Sequence, residues 1–207
     1  MRPTMETAAG NGVSIQIAVS DDGTADIPEI DGVLEIRKCP IPGPFLSIVD
    51  RRYAFFEPNV RSDRSYGIMI GDERISFIMH WYFWTCLWVR KECVQLDRSQ
   101  PPTYVRIDGF VHEAALLLHD DVTMALQILG RRIETGDRVG IRSDLVRATC
   151  GDHCEIPRNP TYADLDGQVT LVLETEDDVV SVGAWGAVFE DVEAEAIRVD
   201  GIDVPEL

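Results

Sequence analysis

Residues 165–174, LDGQVTLVLE, read as a turn that releases the chain into a long strand, because an Asp-Gly pair is followed by a β-branched and leucine-rich run. The same grammar recurs on either side. TGDRVGI (135–141) is a turn and a strand, DDVVSVGAWG (177–186) supplies a third, and AEAIRVDGI (194–202) a last one. Four short strands parted by Gly and Asp turns predict a small barrel. Between the first two lies RATCGDHCEIPRNPTYAD (147–164), whose Pro157 and Pro160 mark it as a long surface loop, the kind of segment that often houses function.

Toward the N-terminus the signals are mixed. VSIQIAV (13–19) alternates with period two, DDG (21–23) offers a turn, and GVLEIRKC (32–39) resumes a strand pattern, so an antiparallel opening is predicted. The prolines of CPIPGP (39–44) confine it to an edge or loop, after which FLSIV (45–49) is a strand. RRYAFFEPNVRSDRSYG (51–67) interleaves four arginines with Tyr53, Phe55, Phe56 and Tyr66. Such a mixture can stack on a nucleic-acid strand, but without an RNP-type signature the expectation is a strand with its aromatics inward and a charged loop after Pro58. ISFIMHWYFWTCLWV (75–89) is expected as a strand or strand pair buried on both faces, although the DER before it could open a helix. Its Trp81, Tyr82, Phe83, Trp84 and Trp88 are expected in the core rather than around a ligand. In DGFVHEAALLLHDDVTMALQILGRR (108–132) Phe110, Ala114, Leu117, Leu118, Ala125, Ile128 and Leu129 fall near one helical face. An amphipathic helix near 109–131 follows, capped by Asp108 and interrupted at Asp120 and Asp121.

These elements define an α+β fold, mainly β. Residues 1–12 are a flexible tail, 13–132 an N-terminal mixed domain with the amphipathic helix, and 133–207 an acidic barrel domain carrying the insertion 147–164. The opening Gly-Asp-Arg-Val (136–139), the Gly-x-Val turn at 167–169, the strand after it and the closing VEAEAIRV (192–199) resemble the SH3-like small barrels of KOW and nitrile hydratase beta-subunit domains, over residues 134–203. That resemblance implies a fold and a binding or assembly role; it transfers no catalytic residue.

With 207 residues, 45% of them hydrophobic, the chain can bury one substantial core or two small ones. Its net charge of -17 is unevenly spread. Residues 133–207 hold 18 acidic side chains against 5 arginines, whereas 37–106 hold 11 basic against 7 acidic. The molecule is electrostatically two-ended. Residues 1–12 lack the apolar run of a signal peptide, and the 15-residue window 75–89 is shorter than the roughly 20 residues that cross a bilayer. Five cysteines without secretory targeting argue for reduced thiols, hence a cytoplasmic protein, or a virion component if the source is viral.

Cys150, His153 and Cys154 raise the question of a metal. Structural zinc takes four ligands, commonly as two pairs, and here one C-x3-C pair stands alone unless Cys93, His112, His119 or a partner chain completes it. Asp152 beside the thiols opposes a reactive thiolate. The expectation is no cofactor, with zinc as the alternative. His112 and Glu113 do not begin a zinc-protease motif, because position 116 is Leu. No nucleophile elbow, phosphate-binding glycine loop or dinucleotide fingerprint occurs. The sequence therefore reads as a non-catalytic interaction or assembly protein, an adaptor or structural component. Glu174, Glu176, Asp177, Asp178, Glu190, Asp191, Glu193 and Glu195 would bind a basic protein surface, self-association through 37–106 is a second partnership, and neither membrane nor nucleic acid is expected. The rival readings are a small metal- or thiol-dependent enzyme built on the Cys150, His153, Cys154 loop, and a nucleic-acid mimic.

Overall fold

A computed structural model describes residues 2–11, 13–20, 35–39, 45–57, 66–88, 92–96, 101–120, 122–151, 154–165, 169–176 and 178–203. The chain divides into two units, Met1–Asp97 and Arg98–Leu207. In chain order the first carries α1 (Arg2–Gly10), β1 (Gln16–Ser20), β2 (Glu35–Cys39), β3 (Phe45–Val49), β4 (Tyr53–Glu57), β5 (Ile68–Ile70), α2 (Glu73–Tyr82), a π-helix (Phe83–Trp88) and β6 (Glu92–Leu96). The second carries β7 (Thr103–Tyr104), α3 (Ile107–His119), β8 (Thr123–Arg132), β9 (Arg138–Cys150), β10 (Cys154–Glu155), α4 (Tyr162–Leu165), β11 (Val169–Glu174), β12 (Val179–Gly183) and β13 (Val192–Asp203).

In the first unit the expected flexible tail is a helix. Met5 of α1 packs with Ile15, Ile17 and Val19 against the buried Ile36, and this apolar contact holds a segment whose own helical preference is weak. β1 and β2 pair in parallel, not as the antiparallel hairpin expected, and β6 joins β2 antiparallel. A tight turn cannot connect parallel neighbours; residues 21–34, which include the anticipated turn, lie outside the described residues. A second sheet runs β3-β4-β5, all antiparallel. Its first hairpin is closed by Asp50 and Arg51, both at positive φ, with Arg52 N–H donating to Val49 O. The expectation of inward aromatics on β4 is corrected here: Ala54 is the buried residue, and Tyr53 and Phe55 face outward. Residues 75–88 are likewise helical rather than strands. Asp72 caps α2 by accepting the Ile75 N–H at 2.9 Å, and Glu73 sits in the first turn, so the polar DER opening outweighs the apolar run behind it.

The second unit is built around a closed five-strand barrel. β9 pairs with β8 along its first half and with β11 along its second; β11 pairs with β12, β12 with β13, and β13 returns to β8. Every link is antiparallel except β12–β13, a short parallel contact at Val182–Val192 and Gly183–Glu193. The inner face is set by alternation, with Met124, Leu126 and Ile128 buried on β8 and Val169, Leu171 and Leu173 on β11. On β13 the buried set changes phase, from Val192 and Ala194 to Ile197 and Val199, because a bulge between Ala194 and Ala196 inserts one residue.

α3 lays Phe110, Val111 and Ala114 on this core. The amphipathic helix expected over 109–131 thus stops at His119, and its second half is the strand β8. Nor is Asp108 the cap: Arg106 occupies that position, and Asp108, two residues on in the first turn, receives the Arg106 guanidinium. The unit's sheet takes in β8, so its folded part begins well before the expected cut at Ile133. Among the described residues no helix is long and apolar enough to cross a membrane.

Candidate functional site at the π-helix

α2 does not end in an ordinary cap. The Phe83 N–H still donates to His80 O and Met79 O, and from Phe83 the chain widens into a π-turn that runs to Trp88. Two features favour the widening. Thr85 Oγ1 donates back to Trp81 O at 2.8 Å, a bond that pulls a helix out of regular winding, and the rings of Phe83, Trp84 and Trp88 need room to stack. Phe83 and Trp88 stand five residues apart with ring centroids at 5.4 Å; Trp84 and Trp88 lie at 6.3 Å, nearly parallel at 25°. Single π-turns inside helices occur often at functional sites.

Trp88 is also where the helix meets β2. The Arg37 guanidinium lies over its ring, 4.8 Å from the centroid, and Nη1 donates to Trp88 O at 3.3 Å while Nε donates to Glu35 Oε1. Arg37 and Glu35 are both mostly shielded from solvent. An ion pair stacked on an indole is far stronger there than in water, and its geometry is fixed on both sides. The Trp88 indole N–H and the Ser76 hydroxyl on α2 are fully buried, and among the described residues neither finds a hydrogen-bond acceptor or donor. Leaving such a group unmade costs about 1–3 kcal/mol, which a polar ligand would recover.

Trp88 was expected as core and is buried; what sequence reading missed is Arg37 and Ser76. The only signal for Ser76 is a hydroxyl inside ERISFIMHWY, and for Arg37 a charge in a short apolar strand.

The Cys150, His153, Cys154 group is placed only in part. β9 and β10 pair so that Cys150 and Cys154 are directly opposite in backbone register, and the Cys150 thiol donates to Asp164 O at 2.8 Å; His153 lies outside the described residues. Two of the residues named to complete a metal site reach the same insertion through other contacts, and the side chain of Cys93 lies outside the described residues. His112 stacks on Tyr162 at 4.2 Å, and His119 Nε2 bonds with Ile156 O at 2.7 Å. Among the described residues no group of three His, Cys, Asp or Glu side chains is arranged to hold a metal ion.

Of the eight acids, several make contacts within the second unit. Glu190 accepts from Thr170 Oγ1, Asp178 accepts the Val179 N–H, and Glu195 pairs with Arg131 at 2.8 Å and faces Arg138. Glu174 ends β11, Glu176 follows it and Glu193 lies on β13, while Asp177 is outside the described residues. Asp191 fastens the loop between β12 and β13 by accepting from Ser181 Oγ and Ser181 N–H at 2.7 and 2.8 Å. Those two bonds, the hydroxyl's first, hold its carboxyl below the usual carboxylate range, with the charge of Arg132 adding to them and partial burial opposing. A carboxyl depressed in the folded state stabilises the fold above its unfolded value of about 4 and loses that contribution as pH falls through the lower, folded value. Replacing Asp191 with Ala is therefore expected to lower the melting temperature at neutral pH and to leave a smaller further loss on acidification to about pH 3. Melting curves across that range are the check, and equal acid sensitivity in both proteins would remove Asp191 from the account.

Residues 1–95 match the family model for the N-terminal subdomain of the EBD, the effector-binding domain, of the transcriptional regulator TrmB. Residues 99–202 match the model for the C-terminal subdomain of the TrmB/TrmBL1 EBD. The chain belongs to the TrmB family of transcriptional regulators. No curated protein matches the chain. The two matches meet where the chain divides into its two units. They overturn the adaptor or structural-component reading and the rivals set beside it: the acidity of the second unit had stood for a partner, but the family named is a regulator with an effector-binding domain. The small barrel is present, and the family model that covers it is that of TrmB/TrmBL1; no SH3-like family is named.

Proposed function

We propose that the chain is the ligand-sensing part of a TrmB-type transcriptional regulator, and that its effector is a small polyhydroxylated molecule, such as a sugar, contacted at the π-helix. The observation that carries this reading is Trp88, stacked under Arg37 with its indole N–H buried and, among the described residues, without an acceptor, inside the segment matched by the N-terminal effector-binding subdomain. An aromatic surface beside a few polar groups of fixed direction is the chemistry that orients hydroxylated ligands. Arg37, the indole N–H and the Ser76 hydroxyl offer donors, so the effector presents acceptor oxygens. Because Trp88 and Ser76 are buried, uptake is coupled to a rearrangement of the helix that bears them, which is how occupancy would become a signal.

Three of the four tryptophans lie between Trp81 and Trp88, so intrinsic fluorescence reports on this segment. Titration with a panel of mono- and disaccharides is expected to give a saturable spectral change, with a thermal shift equivalent to about 2.7 kcal/mol at a hundredfold excess over Kd. Arg37→Gln should abolish both while the circular dichroism is unchanged. A ligand that binds the variant as well as the parent, or a panel with no responder, would sink the assignment.

A further inference from the structure

The insertion 147–164 is tied into the second unit by contacts of different kinds. On α3, His112 stacks on Tyr162, His119 bonds with Ile156 O, and Arg158 reaches Asp120 at 3.0 Å. The remaining tie, from the Cys150 thiol to Asp164 O, depends on a proton that oxidation removes. Cys150 is a free thiol and only partly shielded from solvent. Directly across the β9–β10 ladder stands a second cysteine, at position 154. Gly151, where the chain leaves β9, has a φ of 59°, the left-handed value that suits a tight reversal. Opposed positions of an antiparallel ladder are about 4.5 or 5.5 Å apart at Cα, inside the roughly 4.4–6.8 Å that a disulfide spans. A bridge between them needs no movement of the backbone.

We propose that Cys150 and Cys154 form a reversible disulfide, a modification site whose state sets how firmly α4 is held on α3. The oxidant is a low-molecular-weight disulfide. The thiolate of one cysteine attacks a sulfur of that molecule, so a mixed disulfide forms, the small S–S bond breaks and one small thiolate leaves. The thiolate of the other cysteine then attacks the protein sulfur of the mixed disulfide, forming the bridge and expelling the second small thiolate. Two protein thiols are oxidised, one small disulfide is reduced, and the two protons pass to the departing thiolates. A bridged sulfur has no proton to donate. Asp164 O therefore loses the Cys150 donor, and α4 keeps the Tyr162 stack and the buried Leu165 but not this tie. The ring that closes is short, so it constrains the unfolded chain little and the bond is readily reduced again.

Trypsin cuts after Arg147 and Arg158, so one peptide, 148–158, carries both cysteines and no others. The native chain is equilibrated with oxidised glutathione, its remaining thiols are alkylated, and the digest is weighed. Peptide 148–158 is expected unalkylated and lighter by two hydrogens, about 2 Da, and doubly alkylated when dithiothreitol is added first. Amide hydrogen exchange at 161–165 should quicken about tenfold in the bridged protein, and Cys150→Ala in reducing buffer should match it. Should Cys150→Ala not fold, the parent before and after oxidation decides. A peptide that holds glutathione in place of the bridge, one with both thiols alkylated, or a bridge that forms only in urea overturns the site. Unchanged exchange at 161–165 on oxidation overturns its hold on α4, as does a folded Cys150→Ala that exchanges like the reduced parent.

Discussion

A fragment beginning at Ile133 is expected to be unfolded, while one beginning at Arg98 folds cooperatively. Cutting at Ile133 removes β8, which pairs with β13 on one side and β9 on the other, so the barrel loses the strand that closes it and two neighbours lose their backbone partners. It also removes Met124, Leu126 and Ile128, all fully buried. At about 1.5–3 kcal/mol for each such side chain the loss is roughly 5–9 kcal/mol, comparable with the whole stability of a typical domain, about 5–15 kcal/mol. The helix α3, with Phe110 and Val111 on the same core, goes with it. Circular dichroism and urea titration of the two fragments give the answer: a β-rich spectrum and a sharp transition for the longer one, a coil spectrum for the shorter. A shorter fragment that melts cooperatively would mean that β8 is dispensable and the barrel is not the folding unit.

Gly130→Val is expected to cost about 3 kcal/mol, lowering the melting temperature of the second unit by roughly 10–20 °C. Gly130 lies on β8 opposite Ala194, where the β13 bulge draws the two backbones together. A Cβ there would stand 2.3 Å from Glu193 O and 2.9 Å from Val192 Cγ1, so the obstacle is a main-chain carbonyl that cannot rotate aside. Gly140, across the ladder on β9, supplies the control, because its Cβ would meet only Leu129 Cδ2 at an ordinary 3.6 Å. Gly140→Ala should be nearly neutral. Thermal melts of both variants beside the parent suffice. Equal effects at the two positions would show that loss of glycine, and not the close approach, is responsible.

What could be read from the sequence was what has one dominant local cause. The strands of the C-terminal third were legible because apolar alternation and Gly or Asp turns agree there: β11, β12 and β13 fall where those signals fell, while β9 starts there but runs on to Cys150, and β10 and α4 also occupy residues expected as a loop. β8 was not. TMALQILGRR satisfies the helical and the strand period at once, and only pairing with β9 and β13, both distant in sequence, decides for the strand. In 75–89 the apolar run suggested a strand, yet one capping carboxylate, Asp72, settles the start of a helix, a local cue outweighed in reading by the mass of aromatics. The candidate site shows the same limit more sharply. Trp88 stood out by type, but Arg37 reaches it from 51 residues away, and nothing in either neighbourhood announces the other.

The π-turn also sets a phase. An α-helix advances about 100° with each residue, and a π-turn absorbs one residue beyond what regular winding would hold. Counted from α2, Trp88 therefore points where an α-helix one residue shorter would have aimed it. Were the segment rewound as plain α-helix with its length unchanged, Trp88 would swing through more than a quarter of a circle and leave Arg37 facing a different side chain. The aim of the indole thus depends on a single extra residue of winding, and the aromatic stack is its gauge.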